Sequence, residues 1–113
     1  RFKANLVLRY HYEEDSKKIE GSGIVRDISE GGLLFTHTKQ VFKENKLCLN
    51  FDIPSCGSIH NQMVDIRNIR TNPKSETSPF VTGIKWRDIS PETEESITKL
   101  VQTRSIDRRN EIR

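Results

Sequence analysis

Alternation of apolar and polar residues along most of the chain is the feature that most restricts its fold. Residues 6–12 and 47–53 alternate most clearly, and this period of two predicts strands with one face buried. Further extended segments lie between glycine-, proline- or charge-rich turns, at 19–28, 33–36, 59–69 and 80–86. No helical segments alternate with these strands, so a parallel α/β fold is not expected. About six short strands at hairpin-like spacing predict a small antiparallel barrel or sandwich.

The period changes near the C-terminus, where the sequence has the pattern of a helix start. Ser90 can act as the N-cap by accepting a hydrogen bond from a free backbone N–H, and Pro91 suits the first helical position. Acidic residues follow in the first turns and basic residues come at the far end, as the helix dipole favours: Glu92, Glu94 and Glu95, then Arg104, Arg108, Arg109 and Arg113. Ile97, Leu100 and Val101 form a short apolar face.

The length of the chain and these patterns predict a single domain over residues 1–113, with a barrel at about 4–88 and a helix at about 90–112. The chain begins at Arg1 without a methionine, so we expect it to be a segment of a longer protein. The apolar pattern of the helix thins toward its end. Residues 105–113 are therefore expected to be exposed or to pack on a second copy of the chain, which leaves room for a homo-oligomer.

Composition narrows the classes of partner. The formal net charge of +3 and the pI near 9.0 show a mild excess of positive charge, which suits a phosphate-bearing partner. Binding of long nucleic acid usually requires a denser stripe of basic residues. No apolar run approaches the roughly 18 residues of a membrane span, and no signal peptide is present. Cys48 and Cys56 stand apart from any C-x-x-C pair, so both are expected to be free thiols of a cytoplasmic domain.

The tetrapeptide RDIS occurs twice, and its first copy has the chemistry of a ligand site. Asp27 and Ser29 are two apart, so on a strand they share one face. A carboxylate can accept from the N1–H and the exocyclic amine of a guanine, and a hydroxyl can donate or accept. Gly31 and Gly32 permit positive φ and a close backbone approach, and successive N–H groups at such a turn can cradle a phosphate. The alternative is a hairpin turn in which Asp27 and Ser29 bond their own backbone. On spacing alone, the turn is the stronger interpretation.

The segment Asp27-x-Ser29-x-x-Gly32 resembles the D/N-x-S-x-x-G motif of PilZ domains, bacterial receptors for cyclic di-GMP. The first ten residues resemble the arginine and first barrel strand that open this family. Residues 80–86, with their glycine, resemble a late strand, and Ser90-Pro91 stands where the family begins its C-terminal helix. The resemblance covers nearly the whole chain. It implies a six-stranded antiparallel split barrel followed by a C-terminal α-helix.

The family also implies a second motif, R-x-x-x-R, just before the first strand. Arg1 corresponds best to its second arginine, which places the first arginine upstream of this chain. A different register would put Ala4 at that place and break the motif, but the first register aligns the apolar strand positions without a gap. Guanidinium groups suit this ligand, because they bind phosphates and guanine edges in a bidentate manner and stack on bases.

The resemblance therefore implies a set of ligand-binding residues and a mechanism. The expected contacts to cyclic di-GMP are Arg1, Asp27, Ser29 and Gly32, with Gly31, Gly83 and Arg67 as further candidates. In this hypothesis an N-terminal arginine arm closes over ligand held on the barrel surface. The expected partner is another domain or protein of a bacterial motility or exopolysaccharide system.

Three other residues have simpler expected roles. Arg26 is expected to point away from Asp27 into solvent, and Arg70 to lie on the surface, although it can line the same face as Arg67. Trp86 is expected to lie in the core rather than to stack on a base.

Two alternatives to a receptor stay open at this stage. A PilZ-type domain that no longer binds nucleotide can act as a protein-interaction module, with Asp27, Ser29 and Gly32 keeping only their turn. General nucleic-acid binding would require aromatic residues in a basic groove, whereas the phenylalanines have core patterns. An enzyme is not expected, because the sequence has no nucleophile–base pair, no P-loop and no cluster of metal ligands.

Overall fold

The computed structural model describes residues 2–53, 57–71, 77 and 79–112. Side chains are described for those of these residues that lie between 4 and 102. The elements in this part of the chain are six strands and one helix: β1 (Phe2–Glu14), β2 (Lys17–Ile28), β3 (Gly32–His37), β4 (Leu47–Ile53), β5 (Gly57–Thr71), β6 (Phe80–Trp86) and α1 (Pro91–Ile112). Neighbouring strands pair antiparallel and close into a barrel in the order β1-β2-β3-β6-β5-β4. The predicted fold class, an antiparallel six-stranded barrel followed by a C-terminal helix, is confirmed.

The β1–β2 hairpin is longer than its polar sequence suggests. Residues 13–18 have the composition of a loop, but the strands continue through them to a two-residue turn at Asp15 and Ser16. Both turn residues have positive φ, at 51° and 63°, which matches the right-handed twist of the paired strands. Cross-strand pairing extends as far as Glu14 and Lys17, so backbone hydrogen bonding here outweighs the polar character of the side chains.

The core lies inside the barrel and has the periodicity that the sequence predicts. In β4, Leu47, Leu49, Phe51 and Ile53 are buried, while the residues between them are partly or fully exposed. Cys48 is one of these intervening residues and carries a free thiol, as expected. Cys56 lies outside the described residues.

The second RDIS copy connects β6 to the helix, as the sequence predicts. Asp88 has a left-handed backbone with φ of 48°, a conformation that aspartate tolerates in turns. The Ser90 hydroxyl oxygen accepts a hydrogen bond from the Thr93 N–H at 3.1 Å, which is the geometry of an N-cap. Ile97 and Leu100 are buried against the barrel and belong to its core. Among the described residues, no helix has the length and apolar character needed to cross a bilayer.

A buried imidazole joins β3 to β6 inside the barrel. His37 is 1% exposed, and its Nδ1 lies 2.6 Å from the carbonyl oxygen of Lys39. Because a carbonyl can only accept, Nδ1 carries the proton, and Nε2 accepts from the Thr82 hydroxyl at 2.7 Å. Burial lowers the pKa of His37 below its ordinary value, while the Lys39 carbonyl opposes that shift. The imidazole is therefore held in its neutral form.

We expect the stability of the barrel to fall as the pH drops below the 6.5 of a free imidazole. The unfolded chain takes up a proton at His37 before the folded chain does, so the free energy of unfolding decreases by up to about 1.4 kcal/mol per pH unit. Urea unfolding at several pH values should show this slope in the native chain. The dependence of the unfolding free energy on pH should be weaker in His37→Gln. It should stay the same in His60→Gln, which changes an exposed histidine of β5. Parallel curves for His37→Gln and the native chain would contradict the assignment.

Candidate ligand-binding site

A bulge in β2 sets the direction of the first motif residue. Val25 pairs with Phe35 and Asp27 pairs with Leu34, so Arg26 is an extra residue between the two pairs. Val25 and Ile28 are both buried, and the two residues between them lie toward the outside of the barrel. The bulge therefore breaks the strict alternation of β2 at this point. The expectation that Arg26 and Asp27 point in opposite directions rested on that alternation.

Arg26 is exposed, as predicted, but its guanidinium is engaged. Its Nε donates to the Thr36 hydroxyl oxygen at 3.2 Å, and another guanidinium nitrogen donates to the Asn5 Oδ1 at 3.1 Å. These bonds hold the Arg26 side chain across the outer face of β1 and β3, away from the groove described below. Arg26 therefore has a structural role on the barrel surface.

The turn after Asp27 is closed by its own hydrogen bonds. Both the N–H and the hydroxyl of Ser29 donate to the Gly32 carbonyl, at 2.8 Å and 3.2 Å. The turn predicted as an alternative to a ligand site is thus present. The Ser29 hydroxyl oxygen still has lone pairs that can accept a hydrogen bond from a ligand.

Trp86 joins this turn to the core. Its indole N–H donates to the Ser29 carbonyl at 3.2 Å, and its backbone N–H donates to the Gly31 carbonyl at 3.2 Å. The ring is 7% exposed and stacks near Phe51, at a centroid distance of 6.5 Å. The predicted core position of Trp86 is therefore confirmed, and it also fixes the motif turn to β6.

The two motif glycines have different reasons to be glycine. Neither has a positive φ, since Gly57 is the only glycine in the described part of the chain with that conformation. A Cβ on Gly32 would lie 1.9 Å from the Ile84 carbonyl oxygen, which means that only glycine fits against β6. A Cβ on Gly31 would meet nothing within 4 Å. Gly31 therefore leaves open space beside the turn.

The motif borders a groove on the outer surface of the barrel. Paired residues form a row across four strands, in which Asp27 is opposite Leu34, Leu34 is opposite Gly83, and Gly83 is opposite Asn68. Leu34 and Gly83 form the floor of a cavity of about 260 Å³. Its lining residues are Asp27, Ser29, Gly31, Gly32, Leu33, Leu34, Arg67, Asn68, Arg70, Gly83 and Ile84. Six of the seven predicted site residues thus meet here, and the seventh, Arg1, lies outside the described residues.

The sequence did not clearly predict two of the residues that line the groove. Asn68 was not singled out, and for Arg70 a surface role was favoured over a position on the same face as Arg67. A second bulge explains both positions: Ile66 pairs with Ile84 and Asn68 pairs with Gly83, so Arg67 is the extra residue. The strand register that brings Asn68 and Arg70 to the groove involves long-range pairing, for which local sequence carries no signal.

A larger cavity of about 860 Å³ lies elsewhere, lined by residues of β1, β2, β4 and β5 and of the segment after β3. Its charged lining mixes cations with anions: Arg9 and Lys39 with Glu20 and Asp52. None of the predicted site residues borders it. The smaller groove is the better candidate because it unites the motif, two guanidinium groups and an open backbone. Among the described residues, no cluster of three or more His, Cys, Asp or Glu side chains can hold a metal ion.

Comparison with known proteins shows the family and the fold of the chain. The family model described as the PilZ domain matches residues 1–103, and the chain therefore belongs to the PilZ domain family. No curated protein matches the chain by sequence.

Three solved structures share the fold. YcgR from Escherichia coli, in complex with c-di-GMP, has a TM-score of 0.71 at 12% identity, with 98% of this chain and 46% of that chain covered. MrkH of K. pneumonia in its apo state has a TM-score of 0.74 at 11% identity, with 98% and 52% covered. The PilZ domain of E. coli YcgR with c-di-GMP has a TM-score of 0.63 at 13% identity, with 98% and 94% covered. The chain thus spans about half the length of the first two proteins, and at these identities the likeness concerns the fold.

Substitution of the two motif glycines should separate their roles. Gly32→Ala is expected to lower the free energy of unfolding by at least about 1–3 kcal/mol, because a Cβ would overlap the backbone of β6. Gly31→Ala is the matched control and should change stability little, since its Cβ would enter open space. Urea unfolding followed by Trp86 fluorescence measures both. Equal stability of the two variants would contradict the close approach of β3 and β6.

Proposed function

We propose that this chain is a receptor module for cyclic di-GMP, and that the groove beside the motif turn is its binding site. The observation that carries the proposal is the convergence of Asp27, Ser29, Gly31 and two arginines on one groove. Membership of the PilZ family supports it, as do the c-di-GMP complexes of YcgR, which share the fold.

The chemistry of the groove suits a guanine nucleotide with phosphate groups. The Asp27 carboxylate can accept from the N1–H and the exocyclic amine of one guanine. The open space over Gly31 allows a ligand to approach the backbone of the turn closely. Arg67 supplies a guanidinium for a phosphate or a guanine edge. The proposed role is binding rather than catalysis.

The N-terminal arm is proposed to close over the bound ligand. Phe2 and Lys3 pair with Ile28 and Asp27, so the chain enters β1 directly beside the motif. Arg1 precedes this pairing by one residue, and an arginine there suits the phosphates of a ligand in contact with Asp27. Ordering of the arm on binding would re-orient whatever precedes it in a longer protein. The proposed setting is the cytoplasm, with another domain or protein of a motility or exopolysaccharide system as the partner.

One observation favours a second candidate, a PilZ domain that serves as a protein-interaction module. The Ser29 hydroxyl donates to the Gly32 carbonyl, so the motif stabilises its own turn without a ligand. In that case the chain would not bind the nucleotide, and Asp27 would serve only the turn.

We expect calorimetric titration with cyclic di-GMP to distinguish the two candidates. The native chain should bind, and Asp27→Ala should lose roughly 10- to 100-fold in affinity through the lost contacts to guanine. Gly31→Leu should block the groove while the fold is kept. Arg1→Ala should weaken binding if the arm closes over the ligand.

The second RDIS copy provides a matched control. Asp88→Gly removes the equivalent carboxylate outside the groove, and glycine suits the left-handed backbone there, where φ is 48°. This variant should bind like the native chain. Absence of heat from a folded native chain would reject the receptor and leave the interaction module.

A further inference from the structure

The wall of the groove opposite the motif consists of Arg67, Asn68 and Arg70 of β5, named here the β5 wall. The bulge at Arg67 sets their direction, because it breaks the alternation of β5 beside Gly83. All three side chains are exposed. The position of a polar wall across the groove from Asp27 is a product of strand pairing rather than of the motif.

The side chains of the β5 wall have uncommitted polar groups. Within the part of the chain that the structure describes, none of the three makes a hydrogen bond or an ion pair through its side chain. Arg26 and Arg87 differ, since Arg26 bonds to Thr36 and Asn5 and Arg87 lies 3.7 Å from Asp65, whereas exposed Arg9 also lacks such a bond but lies outside the groove. Two guanidinium groups and one carboxamide therefore line this side of the groove without a neighbour to neutralise or satisfy them.

Gly83 allows Asn68 to lie over the floor of the groove. A Cβ on Gly83 would be 3.1 Å from the Asn68 Oδ1 and 3.5 Å from its Nδ2. Such contacts are tight, so any side chain at position 83 would displace the Asn68 carboxamide. The position of the Asn68 carboxamide thus depends on the absence of a side chain at Gly83. The carboxamide can offer a donor and an acceptor to a ligand on the floor of the groove.

The groove is wide enough for a ligand to be recognised from both sides. Asp27 and Asn68 lie on strands separated by three inter-strand spacings of roughly 4.8 Å, or roughly 14 Å along the curved sheet. A base held by Asp27 and Ser29 occupies one side only. The remaining parts of the same ligand can then extend over Leu34 and Gly83, toward the β5 wall.

We propose that the β5 wall is a second recognition element for the ligand, an inference that rests on the proposed function. Arg67 and Arg70 hold phosphate oxygens, for which paired guanidinium groups are well suited. Asn68 forms hydrogen bonds to a base edge above Gly83, where its amide can act both as donor and as acceptor. Affinity is therefore shared between the N-terminal arm, the motif turn and β5.

The test is a cyclic di-GMP titration of the native chain and two wall variants, Arg67→Ala/Arg70→Ala and Asn68→Ala. The double variant should lose roughly 10- to 100-fold in affinity and Asn68→Ala about tenfold, as expected for lost polar contacts. The affinity of the double variant should also depend less on salt, because screened charge pairs have been removed.

Arg9→Ala/Lys43→Ala is the charge-matched control. It removes two exposed cations that lie outside the groove, so it keeps the same net charge as the double wall variant. This control should bind like the native chain, and urea unfolding should show that all variants are folded.

The outcomes separate this inference from the proposed function. No binding by the native chain rejects the receptor itself, and full binding by Asp27→Ala rejects the groove as its site. Binding that is lost in Asp27→Ala but unchanged in either wall variant leaves the receptor and overturns the role of the β5 wall. A loss in the wall variants that the charge-matched control reproduces also overturns it, since net charge alone would then explain the effect.

Discussion

The close contact between the motif turn and β6 is the constraint on which the rest of the site depends. Gly32 lies so near the Ile84 carbonyl that no side chain fits between them, and Trp86 donates hydrogen bonds to the carbonyls of Gly31 and Ser29. These contacts join β3 to β6, two strands far apart in sequence, and so close the barrel. The same contacts bring Gly83 beside the motif. The contacts that close the barrel therefore also assemble the groove.

Two β-bulges then turn a plain barrel surface into a groove. The bulge at Arg26 directs Asp27 outward from β2, and the bulge at Arg67 places Asn68 over Gly83 from β5. Each bulge breaks an alternation that would otherwise send every second residue into the core. Bulges near binding sites commonly re-aim side chains in this way, and here they act on both sides of a floor made by Leu34 and Gly83.

The motif turn shows that a structural and a binding role are compatible in the same residues. The N–H and the hydroxyl of Ser29 both donate to the Gly32 carbonyl, while the hydroxyl oxygen can still accept a hydrogen bond. A Cβ on Gly32 would overlap the backbone of β6, whereas a Cβ on Gly31 would enter open space. A six-residue motif can therefore be retained by selection for folding even where no ligand binds. The side chains of the β5 wall differ from the motif turn, because they contribute no hydrogen bond or ion pair to the fold in the described part of the chain.

The sequence by itself determined the strands, the core, the helix start at Ser90 and the motif, because alternation, capping and turn chemistry are local properties. It also placed Asp27, Ser29 and both glycines beside one another, since they are neighbours in the chain. Only the tertiary structure decided that Asn68 and Arg70 face the motif, that Arg26 is engaged elsewhere, and that Gly32 lies against the backbone of β6. The physical reason is that pairing register and bulges depend on contacts between strands distant in sequence, and one residue of register moves a side chain to the opposite face.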